Sequence, residues 1–133
     1  MKKLILTVFC ALALSITANS QSTTAVYELR TYTCNEGKLP DLLKRFREHT
    51  TIIFERHHMH SVGYWVPADE PLHSNTLIYI LCHDSREAAT ENWKAFREDP
   101  EWQKVSKESD ANGKIVNHTT SVFMSPTDFS KLK

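Results

Sequence analysis

The alternation of polar and apolar residues along the chain predicts four β-strands. The first, at 25–33, is rich in β-branched and aromatic residues, and its side chains divide between two faces by parity. The other three strands are predicted at 61–67, 76–83 and 114–124. The third, TLIYILCH, is apolar at both parities, which is typical of a central strand with both faces covered.

Two helical stretches lie between these strands. The segment KLPDLLKRFREHTTIIFERHH repeats apolar residues at helical spacing, and Pro40 falls in its first turn, where a missing N–H costs nothing. The second stretch begins at Asp84, which has a glutamate three residues later, as in a capping box. Asp99 and Pro100 are typical of a helix start, so this stretch is predicted to be broken in two.

The resulting order, β-α-β-β-α-β, indicates an α+β fold of the ferredoxin-like kind, with an antiparallel four-stranded sheet and helices on one face. The second and third strands carry enough apolar residues that the other face should not meet bulk water. A second copy of the sheet is the simplest cover, so we expect a homodimer.

The cysteines outside the N-terminal segment are Cys34 and Cys82. In this topology they fall at opposite ends of two antiparallel neighbours, well beyond the Cα separation of about 7 Å that a disulfide tolerates. We therefore expect two free thiols.

The first 20 residues have the pattern of a secretory signal peptide: two lysines, an apolar run, and small residues before a cleavage site at Gln21. A membrane anchor is the alternative, but the apolar run is shorter than the about 20 residues that span a bilayer. We expect cleavage and an exported protein, secreted or periplasmic, with no membrane attachment. The mature domain is then 21–133, with its core at 26–124.

The charge balance excludes some partners. The chain has 16 basic and 16 acidic residues, whereas nucleic acids and anionic membranes select basic surfaces. The chain has three glycines and contains no Gly-rich phosphate loop, no GxSxG motif and no CxxC motif. We therefore expect neither a nucleic-acid partner nor a cofactor.

The segment RHHMHSVGYW places three histidines within four residues, at His57, His58 and His60. A zinc site needs three or four converging ligands, and adjacent residues of a helix diverge by about 100°. We expect no metal site here. Histidines in the last turn of a helix favour its negative end. His60, which enters the strand that carries Tyr64, is the best of the three for a pocket.

Three polar or amphipathic residues, Glu28, Arg30 and Tyr32, share one face of the first strand. A charged pair that is buried must be matched. Arg30 therefore either binds an anion or carbonyl while an acid such as Glu28 holds it, or forms a salt bridge within the sheet or between subunits. The sequence leaves both interpretations open.

A second candidate base is His83, which stands beside Asp84 at the end of the third strand. A neutral imidazole near a carboxylate can abstract a proton. Asp84 is equally interpreted as a helix cap. The aromatic residues Tyr64, Trp65 and Trp93 can line an apolar ligand pocket, or they can simply pack in the core.

Three separated stretches carry a family resemblance. YELRTYT at 27–33, VGYW at 62–65 and FREDPEW at 96–102 resemble signatures of the NIPSNAP family, and the resemblance covers about 26–122. It implies a dimeric α+β barrel, in which two ferredoxin-like subunits pack sheet against sheet. That superfamily includes cofactor-independent monooxygenases, isomerases and haem enzymes, often with a ligand pocket between sheet and helices. The NIPSNAP family itself has no generally established reaction.

Together these observations predict a domain that binds a small apolar or aromatic molecule in a pocket of each subunit, using residues drawn from Arg30, Tyr32, Tyr64, Trp65 and Trp93. A cofactor-independent enzyme of the monooxygenase or isomerase type is one alternative. In that case His60 or His83 is the base and Arg30 stabilises a developing oxyanion. A dimeric protein-interaction module is the other alternative.

Overall fold

The four strands form one antiparallel sheet in a computed structural model that describes residues 25–132. The strands are β1 (Val26–Cys34), β2 (His60–Trp65), β3 (Thr76–His83) and β4 (Val116–Met124). Their order in the sheet, β2-β3-β1-β4, is the predicted ferredoxin-like order, and it confirms β3 as an inner strand. The predicted signal peptide lies outside the described residues.

The first predicted helix is present, but its middle turn is wound more widely. The chain runs from α1 (Leu39–Arg45) through a π-helical turn (Phe46–Thr50) into α2 (Thr51–Arg56). Two threonine hydroxyls add to the backbone hydrogen bonds here, because Thr50 donates to the Arg45 carbonyl and Thr51 to the Phe46 carbonyl, which also accepts the Thr51 backbone N–H. Within residues 25–132, no helix is long and apolar enough to cross a membrane.

The second helical stretch is broken in two, as predicted, into α3 (Arg86–Glu98) and α4 (Pro100–Ser109). At the break, the Asp99 carboxylate accepts the backbone N–H groups of Glu101 and Trp102.

The predicted cap of α3 at Asp84 is wrong. The capping residue is Ser85, whose backbone is extended and whose hydroxyl accepts the N–H of Ala88 over 3.0 Å. Both residue types make good caps, and the backbone conformation places the serine, not the aspartate, at the helix start.

The hydrophobic core lies between the sheet and the helices. Alternate residues of β3, namely Leu77, Tyr79 and Leu81, face the helices and are fully buried. The ring of Tyr79 packs against Phe46 and Phe54 at centroid distances of 5.3 and 5.9 Å. This packing fixes the helices against the helix-facing side of β1, which carries Glu28, Arg30 and Tyr32.

The opposite side of the sheet, which we call the open face, carries a patch of apolar side chains that is only partly covered. Leu29 lies between Ile80 on β3 and Val122 on β4, and Val122 is 53% exposed. Gly63 leaves room for the half-exposed ring of Trp65, since a Cβ at that position would lie 2.6 Å from the ring. Among residues 25–132, nothing shields these side chains fully.

The two thiols are free, as predicted. Cys82 lies opposite Tyr27, near the start of β1, whereas Cys34 is buried at the end of that strand. The length of β1 therefore separates the two cysteines.

Candidate ligand-binding site

Glu28 is a buried carboxylate on β1 with hydrogen-bond donors on both oxygens. Its side chain is 1% exposed. Oε1 accepts from the Ser121 hydroxyl at 2.6 Å and from the Arg30 guanidinium at 3.0 Å. Oε2 accepts from the Trp93 indole N–H at 2.6 Å and lies 3.0 Å from Nε2 of His83. Three strands and α3 therefore converge on one carboxylate.

This convergence keeps Glu28 ionised. Burial by itself raises the pKa of the carboxyl group. Hydrogen bonds from His83, Ser121 and Trp93, together with the charge of Arg30, outweigh burial and lower the pKa to about 2. A carboxylate with such a pKa does not take up a proton near neutral pH, so Glu28 is suited to holding other groups in place.

Arg30 is the main group that Glu28 holds. The guanidinium also donates to the Tyr32 hydroxyl at 3.3 Å, and its Cζ lies 4.5 Å from the ring centroid of Trp93. Its Nε is buried and has no hydrogen-bond partner among the described residues. A guanidinium has five N–H donors, and the contacts with Glu28 and Tyr32 occupy two of those of Arg30.

These side chains form one wall of a cavity of about 490 Å³ between the sheet and α3. That volume lies in the range of small-molecule sites. We call it the arginine–aromatic cavity, and its lining comprises Glu28, Arg30, Tyr32, Arg86, Thr90, Trp93, Phe96, Arg97, Trp102, Ser121 and Phe123. Arg86, Thr90, Trp93 and Arg97 follow each other at spacings of three or four residues and so occupy one face of α3.

Positive charge exceeds negative charge in this lining. Arg30, Arg86 and Arg97 stand against the single carboxylate of Glu28. Neither Arg86 nor Arg97 has an ion-pair partner in the described part of the chain. The Cζ of Arg86 lies 3.3 Å from the ring centroid of Phe123 on β4.

A second cavity, of about 310 Å³, lies between α1 and α4. Two of its positive groups are paired, since Lys44 pairs with Glu48 and the buried Arg45 pairs with Asp110 at 3.5 Å. The arginine–aromatic cavity differs in having two arginines, Arg86 and Arg97, that form no ion pair within the described residues.

The structure brings together some of the predicted ligand-binding residues. Arg30, Tyr32 and Trp93 line the arginine–aromatic cavity, whereas Tyr64 and Trp65 do not. Tyr64 stacks on Tyr79 in the core at a centroid distance of 5.6 Å, and Trp65 is 50% exposed on the open face.

The histidine cluster is divided among separate places. His57 is the C-terminal cap residue of α2 and lies 2.7 Å from the Asp99 carboxylate, while His58 takes a positive φ of 56° in the following turn. His60 is 55% exposed and pairs with Glu55 at 3.0 Å, away from the cavity. Among residues 25–132, no three His, Cys, Asp or Glu side chains converge as metal ligands would.

His83, the other predicted base, is fully buried and bound to Glu28 rather than to the adjacent Asp84. Its Nδ1 has no partner within the described residues. The imidazole lies behind the carboxylate and does not line the cavity. At this position His83 serves as a hydrogen-bond donor that orients the Glu28 carboxylate.

Sequence reasoning missed Ser121, Phe123, Arg86 and Arg97 in the cavity. For the two arginines a signal was present, because both share a helical face with Trp93 at spacings of seven and four residues. For Ser121 and Phe123 the pairing of β4 with β1 is needed, which places them opposite Arg30 and Glu28.

Comparisons with known proteins agree with this fold. A family model described as NIPSNAP matches residues 27–131. The crystal structure of a NIPSNAP family protein of unknown function from Agrobacterium tumefaciens is 24% identical, with 84% of this chain and 96% of that chain covered and a TM-score of 0.71. Another NIPSNAP family protein from that organism is 26% identical over 82% and 99% of the two chains, also with a TM-score of 0.71.

A more distant likeness links the fold to an oxygenase. SnoaB, a cofactor-independent oxygenase from Streptomyces nogalater, is 11% identical over 83% of this chain and 99% of its own, with a TM-score of 0.55. At that identity the likeness concerns the fold alone. A search of curated proteins found no match. Because the family model spans most of the chain, from residue 27 to residue 131, this protein belongs to the NIPSNAP family.

Proposed function

We propose that this NIPSNAP domain binds a small aromatic or apolar molecule in the arginine–aromatic cavity. The observation that carries the proposal is the Arg30 guanidinium, which Glu28 and Trp93 lock in place at the cavity wall. A salt bridge that only stabilises the sheet needs no adjacent cavity. A ligand anchor needs both a fixed orientation and open space beside it.

The remaining lining suits a flat apolar ligand. Phe96 and Trp102 pack with their rings tilted by 35° at a centroid distance of 4.4 Å, and with Trp93 and Phe123 they give the cavity aromatic walls. Aromatic walls favour apolar and aromatic ligands because they bury large areas and accept edge-to-face contacts.

The enzyme alternative has less support. The carboxylate that faces the cavity, Glu28, has a pKa of about 2 and is a poor proton acceptor. His60 lies away from the cavity, and His83 is buried behind Glu28. The resemblance to the oxygenase reaches only the fold, so we favour binding over turnover.

We also propose that two copies pair through the open face and that the protein is exported. Pairing would cover Val122, Leu29 and Ile80, while the cavity lies on the opposite side of the sheet in each subunit. The signal-peptide pattern of the first 20 residues supports export, and N-terminal sequencing of protein from its native host would test cleavage before Gln21.

The binding proposal is tested by titration with N-phenyl-1-naphthylamine, a neutral aromatic probe that fluoresces in apolar sites. We expect saturable binding that weakens at least about threefold in Trp93→Phe, because the cavity wall shrinks and Arg30 loses its support. Trp65→Phe, on the open face, should bind like the wild type. Equal binding by both variants would show that this cavity is not the site.

A further inference from the structure

We infer that the ligand is an organic anion, namely an aromatic molecule that bears a carboxylate. The carboxylate binds Arg30, and Arg86 and Arg97 complete its binding site. This inference rests on the proposed function and adds the charge of the ligand to it. Arg86 and Arg97, which we call the rim arginines, line the same arginine–aromatic cavity.

The charge of the cavity is the first argument. Glu28 is ionised and balances Arg30, which leaves the two exposed rim arginines without a countercharge among the described residues. The chain as a whole carries 16 basic and 16 acidic residues, so the excess is a local property of this cavity. A cleft lined by one sign of charge concentrates ligands of the opposite sign.

The orientation of the guanidinium groups is the second argument. Arg30 lies over Trp93 and Arg86 lies over Phe123, so ring faces support both groups. Phe123 is the β4 partner of Glu28, so the ring that supports Arg86 lies opposite the residue that holds Arg30. A guanidinium fixed in this way loses little entropy when it binds a carboxylate with two parallel hydrogen bonds.

A cationic ligand or a neutral aromatic ligand fits this cavity less well. A cationic ligand would meet like charges, and a neutral aromatic ligand would cover the guanidinium groups without replacing the water they lose. An aromatic carboxylate supplies both a flat body for the walls and two acceptor oxygens for the arginines.

Three probes of one shape test the charge: 2-naphthoate, 2-naphthamide and 2-naphthamidine, titrated calorimetrically into the full chain. They are an anion, a neutral molecule and a cation with the same ring. We expect naphthoate to bind at least about tenfold more tightly than naphthamide, and naphthamidine to bind most weakly. The preference for naphthoate should decrease as salt is added.

The variant that isolates the rim is Arg86→Gln with Arg97→Gln. Both side chains are exposed, so the fold should persist, and we expect the preference for naphthoate to fall at least about threefold. The matched control is Arg47→Gln with Lys94→Gln, which removes two exposed positive charges outside the cavity lining and should keep the preference.

The outcomes separate this inference from the proposed function. Equal binding of naphthoate and naphthamide, or an equal loss of preference in the rim variant and the control, would overturn the anion inference alone. So would binding of N-phenyl-1-naphthylamine without binding of any of the three naphthalenes. If that neutral probe fails as well, the binding function itself is wrong.

Discussion

Trp93 on α3 and Glu28 on β1 are joined by a 2.6 Å hydrogen bond that links a helix to an inner strand of the sheet. The same indole ring supports the guanidinium of Arg30, which the same carboxylate holds. One aromatic residue therefore orients both members of the ion pair. The position of α3 and the geometry of the cavity wall are coupled through this contact.

The first prediction concerns the Trp93 N–H. Trp93→Phe keeps an aromatic ring but leaves the buried Glu28 with one donor fewer, which should cost about 1–3 kcal/mol of unfolding free energy. Trp102→Phe is the control, because it shrinks a half-buried ring of the same cavity that shows no indole hydrogen bond in the described structure. Urea unfolding at neutral pH measures the loss of unfolding free energy in both variants. Equal losses would mean that ring volume, not the hydrogen bond, accounts for the effect.

The second prediction concerns acid stability. The pKa of Glu28 is about 2 in the folded chain and 4.5 ordinarily, so the unfolded chain binds more protons between these values. Its contribution to stability is therefore complete above about pH 5 and is lost as the pH falls towards 2. Over that interval the unfolding free energy of the wild type should fall on the order of 3 kcal/mol further than that of Glu28→Gln. Urea unfolding at several pH values measures this difference. If the unfolding free energies of the wild type and Glu28→Gln fall in parallel as the pH is lowered, the prediction is wrong.

Local chemistry accounts for the parts of the fold that the sequence predicts well. The strand at Thr76–His83 has its predicted bounds, because an unbroken apolar run ends at polar residues on both sides. The break between α3 and α4 follows from Asp99 and Pro100, which cap and start a helix by themselves. The π-helical turn at Phe46–Thr50 was not predicted, since the apolar spacing there fits an ordinary α-helix.

The site was less predictable because it depends on contacts between distant segments. Strand parity alone places Glu28 and Arg30 on one face, but Trp93 and Ser121 lie 65 and 93 residues away from Glu28. The rotation of α3 about its axis and the register of β4 decide whether these two side chains reach Glu28. The aromatic type of Trp65 predicts a place in the pocket, yet Trp65 lies on β2, an edge strand that β3 separates from β1.

The third prediction tests which residue caps α3. Ser85→Ala removes the acceptor of the Ala88 N–H and should cost about 1 kcal/mol of unfolding free energy. Asp84→Ala, at the exposed neighbouring position, should change it by less than about 0.5 kcal/mol. Thermal or urea unfolding distinguishes them. A larger loss in the aspartate variant would restore Asp84 as the cap.

The fourth prediction tests the pairing of two copies through the open face. Val122 is 53% exposed beside Leu29, and a dimer that buries it would have to bury an unpaired carboxylate in Val122→Glu. We expect the wild type to sediment as a dimer at micromolar concentration and the variant as a monomer with unchanged circular dichroism. Ile52→Glu is the matched control, because Ile52 is 60% exposed on α2, on the helix side of the sheet, and should leave the dimer intact. A monomeric wild type, or dissociation of both variants alike, would mean that the open face is not where two copies meet.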